Sequence, residues 1–356
     1  MLNKIDLSRN LESNDILKLT IKVSRQLAEY KILVNSFTSF DLLFNLINLI
    51  DAKFNLELEG HTTTYENIFL EEIDISKNDN VAKKTIKLLK TLRHGGYQLH
   101  ENKLLTMRTL SDLQVILENN RAGLRRIPGQ RVWDNEGNVI YFPPKMFDDV
   151  LNYMLDYEKV CNDPFLSEFD PIIKQALLHL QLIAIQPFID SSNEMARLIT
   201  SLYFTKEELL KNPIFAISPF LFSNKKKYDH YILNAKLNGD PTDWIEFYLN
   251  AIYETVKNTK IFISELEAIL KNQNKIIYNK TSFHSTKLRN LIIKYPISNI
   301  KLLIKELDVH RQTASYYLNS LVELGLLTKH KIGRNNYYEN TEVLNLIKNF
   351  NINIII

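Results

Sequence analysis

Residues 186–198 read Gln-Pro-Phe-Ile-Asp-Ser-Ser-Asn-Glu-Met-Ala-Arg-Leu. A Pro-Phe turn, a short polar loop and the head of a helix bring backbone N–H groups together, and such a place can hold an anion, phosphate above all. The groups on offer are Gln186 before the turn, Asp190, Ser191, Ser192 and Asn193 in the loop, Glu194 at the helix head and Arg197 beyond it. Their chemistry is restricted. A glutamine amide hydrogen-bonds but is not a usable base.

The segment ends a helix marked by Ile172, Ala176, Leu177, Leu180 and Ala184, which Pro171 can begin. It resembles the signature of the Fic family of AMP-transferases, H-P-F-x-D/E-G-N-G-R-x-x-R. Pro187, Phe188, Asp190 and Arg197 stand on family positions, and His179-Leu-Gln181 with Ala184-Ile185 resembles the run before the signature. Arg125–Gly129 followed by Val139–Pro144 is similar to the family's flap hairpin, and Asn224-Lys225, Tyr228 and Trp244–Phe247 to its later helices. The matches keep their order over most of the chain.

The resemblance implies a chemistry and its loss. In active relatives a histidine takes the proton of a target hydroxyl that attacks the α-phosphate of ATP. A Gly-Asn-Gly backbone cradles the phosphates, an arginine neutralises them and an acid holds Mg²⁺. Here those slots hold Gln186, Ser191-Ser192-Asn193, Glu194 and Asp190. The base is missing, side chains crowd the cradle, and Glu194 is expected to face and repel a triphosphate. Asp190 is expected to cap the second helix instead. General-base catalysis alone contributes roughly 10²–10⁴-fold, so ordinary AMP transfer is not expected. No cofactor is expected either; ATP and Mg²⁺ belong to the alternative reading, a protein adenylyltransferase of residual or altered activity.

Leu58-Glu59-Gly60-His61-Thr62-Thr63-Thr64 resembles the family's inhibitory segment, S/T-x-x-x-E-G followed by a threonine run, with Asn55 at the first position. The resemblance pairs Glu59 with Arg197, in a partly buried ion pair that locks the inhibitory helix onto the core.

Residues from about Ser285 to Leu346 read as a winged helix. The spacing predicts helices over Thr286–Lys294, Asn299–Leu307 and Arg311–Leu324, the last capped by Gly325, then a hairpin around Ile332-Gly-Arg334. The third helix offers Arg311, Gln312, Thr313, Ser315 and Tyr316 to a DNA major groove. Lys329, Lys331 and Arg334 on the wing suit phosphates. From Lys280 onward eleven Lys or Arg stand against five Asp or Glu, a net of +6, which leaves −3 for the rest of the +3 chain. A basic module on a mildly acidic body fits nucleic acid; a module used for protein contacts is the other reading.

The elements that must position these groups are mostly helical. Ile16, Leu19, Val23 and Leu27, then Leu42, Leu46, Leu49 and Ile50, fall at helical spacing. Arg131–Asp134 and Asn138–Phe142 read as a β-hairpin turning at Asn135-Glu-Gly137, ended by Pro143-Pro144. The expected fold is mainly α: a Fic-like helical domain with a hairpin flap, an N-terminal inhibitory-helix region and a C-terminal winged helix. The expected divisions are 1–100, 101–270, a polar linker at 271–285, and 286–356. A single cysteine, Cys161, read as structural or a surface thiol, fits a reducing cytoplasm. Met1–Asp15 lacks an apolar signal core, and Leu42–Ile50 falls short of the ~20 residues of a membrane span. A cytoplasmic protein with DNA or a protein partner is expected, and a homodimer by analogy with relatives. Its function is expected to be that of a catalytically degenerate regulator or scaffold.

Overall fold

The computed structural model describes residues 11–74, 78–128, 131–133, 139–166, 168–281, 283, 285–333 and 335–351. The hairpin turn at 134–138 and Arg334 lie outside them.

The chain begins with α1 (Asn14–Ser36), α2 (Phe40–Leu58), α3 (Tyr65–Glu72), α4 (Asn80–Asn102) and α5 (Met107–Glu118). The hairpin β1 (Val132–Trp133) and β2 (Val139–Tyr141) follows, with Val132 opposite Tyr141. Six helices complete the body: α6 (Phe147–Asn162), α7 (Pro171–Ile185), α8 (Ser192–Lys206), α9 (Ser218–Ser223), α10 (Lys225–Asn238) and α11 (Thr242–Lys280). The last region holds α12 (Thr286–Lys294), β3 (Ile297–Ser298), α13 (Ile300–Leu307), α14 (Arg311–Glu323), β4 (Thr328–Ile332), β5 (Asn335–Glu339) and α15 (Thr341–Lys348). Its strands form an antiparallel sheet in the order β3-β5-β4. Among the described residues no helix is long and apolar enough to cross a membrane.

Two helices form the centre. Asp170 accepts a hydrogen bond from the Ile172 amide (2.8 Å) and Pro171 sits in the first turn, so α7 starts where its sequence says it should. Every residue from Ile172 to Ile185 is buried, as expected of a helix surrounded by others. Helix α8 crosses beside it, and α4 lies on α8 at close range. A Cβ added at Gly95 would stand 2.7 Å from Leu202 Cδ1. That close approach is what lets Lys84, three turns earlier on α4, reach the head of α8.

Helix α2 is stitched to the segment after α8 by side chains that satisfy buried backbone groups. Asn48 donates to the Pro213 carbonyl (2.9 Å), Asp51 accepts from the Ser218 amide (2.8 Å), and Tyr30 of α1 donates to the Ile214 carbonyl (2.9 Å). The helix ends at Glu59 because Gly60 adopts φ +82, a left-handed conformation that glycine enters at no steric cost.

The expected linker at 271–285 is corrected by the structure. Residues 271–280 are the last turns of α11, a single helix of 39 residues. The polar composition hid a sparse buried stripe, Leu266, Leu270, Gln273 and Ile277. Gln273 exchanges amide hydrogen bonds with Asn340 (3.2 and 3.1 Å), which pairs two buried polar groups. The C-terminal region is therefore built on the end of α11, and only 281–285 connect it to α12. It also reaches back to α2 and α3: Lys294 pairs with Asp41, and Asn299 donates to the Ile73 carbonyl (3.0 Å).

Gly95→Val tests the α4–α8 approach. Overpacking of this kind costs about 1–3 kcal/mol, so the urea midpoint is expected to fall, while Gly60→Ala acts only through its left-handed backbone.

Candidate functional site

Arg197 lies at the bottom of the site, its side chain 1% exposed, and three groups of α2 satisfy it. Its Nη2 stands 2.6 Å from Glu59 Oε1 and donates to the Asn55 carbonyl (3.2 Å); its Nε donates to Asn55 Oδ1 (2.8 Å). Asn193 donates to the other Glu59 oxygen (3.1 Å). Glu59 is a quarter exposed. Burial by itself would raise its carboxyl, but Arg197 and the hydrogen bonds outweigh burial and hold it below the usual glutamate range. The guanidinium is held protonated: burial works against its charge, and Glu59, Tyr228 and Glu194 together more than offset that.

The other loop residues also turn onto this chain. Glu194 is buried, and its Oε1 stands 2.7 Å from Lys84 Nζ of α4. Its carbonyl accepts from Asn55 Nδ2 (3.2 Å). The expectation that Glu194 faces the anion site is corrected accordingly: its charge is neutralised by Lys84. Ser192 Oγ accepts from the Phe188 amide (2.9 Å) and donates to the Phe188 carbonyl (3.0 Å), while Ser191 donates to Glu118. Asp190 is exposed, and Ser191 holds the N-cap position of α8 with no side-chain capping bond. The expected capping role of Asp190 is thereby overturned: the loop is exposed at Ile189 and Asp190 and is buried again at Ser191.

Gln186 closes α7 in a left-handed conformation, φ +47. Its carbonyl accepts from Arg125 Nε (2.5 Å). The same guanidinium donates to the carbonyls of Ile185 (3.0 Å), Pro144 (2.7 Å) and Ile127 (2.8 Å). Arg125 thus ties the segment after the hairpin to the C-terminal end of α7, where the helix dipole favours a cation. Behind the loop, His179 touches the hydroxyls of Tyr228 (3.0 Å) and Tyr248 (3.2 Å) and stacks on Trp244. Burial and the positive charge of Arg197 push its pKa down to about 3, so it is neutral.

Sequence reasoning missed Lys84, Glu118 and the bonding of Asn55. None carries a local signal: Lys84 and Glu118 stand 110 and 73 residues from their partners, and asparagine read as a mild departure from Ser or Thr. Among the described residues no cluster of three or more His, Cys, Asp or Glu could hold a metal ion.

In the C-terminal region Arg311 and Gln312 are exposed at the head of α14, Thr313 and Ser315 are half-buried, and Tyr316 is exposed beside Phe283. Lys329 and Lys331 are exposed at alternate positions of β4. Lys329 Nζ reaches Asn319 of α14 (3.4 Å), which puts the lysine pair and α14 on one side of the sheet.

Comparison with known proteins gives two family matches. Residues 105–204 match the Fic/DOC family, and residues 262–343 match the family described as protein adenylyltransferase SoFic-like, C-terminal domain. Among solved structures the chain resembles a Fic family protein from Desulfovibrio desulfuricans, at TM-score 0.58 and 17% identity, over 92% of this chain and 96% of that one. It also resembles a Fic domain containing signaling protein from Bacteroides thetaiotaomicron, at TM-score 0.55 and 17% identity, over 66% and 94%. A third likeness is to Fic-1 from C. elegans, at TM-score 0.53 and 15% identity, over 69% and 72%.

Removing one member of a buried ion pair costs about 3–5 kcal/mol. Glu59→Ala is expected at the lower end, because Glu59 keeps some water, and Glu59→Ala with Arg197→Met should cost less than the single change. The pH dependence has a definite sign. His179 is depressed, so its contribution is complete above about 6.5 and is lost as pH falls toward about 3. Glu59 is also depressed, so its contribution is complete above the ordinary glutamate range and is lost as pH falls through its lowered pKa. Acid unfolding followed by circular dichroism should show a shallower slope below pH 6.5 in His179→Gln.

Proposed function

We propose that this chain, which carries a Fic/DOC family domain and a SoFic-like C-terminal domain, has exchanged AMP transfer for a regulatory role: a Fic-like body serving as scaffold and a C-terminal module that binds DNA. One observation carries the loss of transfer. Ser191, Ser192, Asn193, Glu194 and Arg197 all find partners within the chain, where transfer chemistry would need their positions open to phosphate. Gln186 supplies no base. A triphosphate would have to displace Glu59 from Arg197 and Asn193 from Glu59, so the residues present do not fit ATP with Mg²⁺.

The DNA reading rests on the C-terminal module. The winged-helix reading is supported by α12, α13 and α14 with a three-stranded sheet in the order β3-β5-β4, to which α15 is added. The head of α14 offers Arg311 and Gln312, which suit guanine and adenine edges. Lys329 and Lys331 on the same side suit phosphates.

The retained Glu59–Arg197 pair favours a second reading, in which the chain still transfers AMP and this pair restrains it. Nucleotide exclusion is the role the inhibitory segment has in relatives. A cytoplasmic location fits either reading.

Duplex binding followed by fluorescence anisotropy should weaken steeply with salt. Arg311→Ala and Lys331→Ala should each weaken it, the latter making the log–log salt slope shallower by about 1. Labelling from radiolabelled ATP should be absent in the wild type and in Gln186→His. Robust labelling in Gln186→His would restore the transferase reading, and its loss in Arg197→Ala would place that activity in this site.

A further inference from the structure

At the far ends of α4 and α8 lies a hollow of about 300 Å³ whose walls are mostly cationic. Lys31 comes from α1, Lys103 from the end of α4, and Lys206 and Lys211 from the end of α8 and the turn after it. Leu99 and Leu210, both buried, give it an apolar floor. One carboxylate, Glu208, also lines it. The hollow stands at the opposite end of α8 from the signature loop, roughly 20 Å along a helix of 15 residues. It is therefore separate from that site.

Lysines at the C-terminal end of a helix commonly serve its last carbonyls. Here backbone amides already fill that role. Lys103, left-handed at φ +58, donates its amide to the Leu99 carbonyl (2.9 Å). The amides of Glu207, Glu208 and Leu210 donate to the carbonyls of Tyr203 (2.9 Å), Thr205 (3.2 Å) and Phe204 (3.0 Å). Of the lysine heads, Lys206 pairs with Glu207 (2.7 Å). Lys31 Nζ donates to the Glu208 carbonyl (2.5 Å), a neutral acceptor that leaves its charge uncancelled. Among the described residues Lys31, Lys103 and Lys211 meet no carboxylate within ion-pair distance. Even with Glu208 nearby, a positive surplus remains, and a hollow with an apolar floor concentrates its field.

We propose that this hollow binds a phosphate monoester, its dianionic phosphate between Lys31, Lys103 and Lys211 and its carbon skeleton on Leu99 and Leu210. The three ammonium groups arrive from three separate stretches of the chain, which suits the three charged oxygens of one tetrahedral group. Lysine meets phosphate as a point charge and needs no planar partner. A carboxylate ligand, with a single charge, leaves part of the surplus unanswered. The volume sits at the lower limit of ligand pockets, roughly 300 Å³. That admits a short skeleton. It does not admit a nucleoside triphosphate, whose Mg²⁺ would also face three lysines. The backbone bonds at both helix ends fix the walls before binding, so little ordering is needed.

Titration calorimetry of the full chain with glycerol 3-phosphate tests the proposal. Saturable one-to-one binding is expected, and none with glycerol. Lys103→Ala and Lys211→Ala, both at exposed positions, are each expected to weaken it roughly tenfold or more, the effect of losing a hydrogen bond to a charged group. Lys226→Ala, outside the hollow, should leave it unchanged, and circular dichroism should be the same in all three variants. A second titration, with an acetylated phosphoserine pentapeptide, separates the two sources of such a group. Tighter binding of glycerol 3-phosphate assigns the hollow to a free metabolite and tighter binding of the peptide to a phosphorylated protein; either supports the proposal when both lysines matter. Binding of neither probe overturns it. So does binding that Lys103→Ala and Lys211→Ala leave intact, or that Lys226→Ala weakens as much, which marks attraction to surface charge alone.

Discussion

A guanidinium with almost no access to water dictates the rest of this molecule. Arg197 is taken out of solvent by the core around α7 and α8, and a buried cation is tolerable only when paired and fully hydrogen-bonded. Glu59 and Asn55 meet that demand from a single helix, α2. Moving α2 away would strand the cation. The bonds from Asn48 and Asp51 to the 213–218 segment then read as the stitching that keeps α2 where Arg197 needs it. The first turn of α2 carries Asp41, held by Arg93 (2.8 Å) and Lys294, so the helix that locks the site also seats the C-terminal region.

The loop beside Arg197 has been brought into the same economy of charge. Glu194 is not an exposed repulsive group; Lys84 neutralises it, and the close α4–α8 approach at Gly95 makes that possible. Ser192 folds onto Phe188, and Asn193 completes Glu59. These residues are structural ties between α2, α4, α5 and α8.

Local signals were legible in the sequence and distant partners were not. Pro171 and the apolar spacing from Ile172 gave α7 its bounds, and Thr286–Lys294 and Arg311 gave the starts of α12 and α14, because caps and periodicity are written within a few residues. Glu59 with Arg197 was legible only through the resemblance, 138 residues apart. Lys84 has no such guide, and without it the sequence leaves Glu194 facing an open site. The polar stretch after Lys271 looks like a linker because only every third or fourth residue, Gln273 among them, is buried in α11. Asp190 looked like a cap by type, but the cap position falls at Ser191, where the backbone turns into α8.

The central claim is that internal partners occupy the place of the phosphates. Titration calorimetry of the wild-type chain with ATP and Mg²⁺ tests it directly. The account predicts no heat of binding in the wild type, with none gained when Gln186 is changed to histidine. Saturable one-to-one binding that strengthens in Glu59→Ala would show that nucleotide still reaches Arg197, and would contradict it.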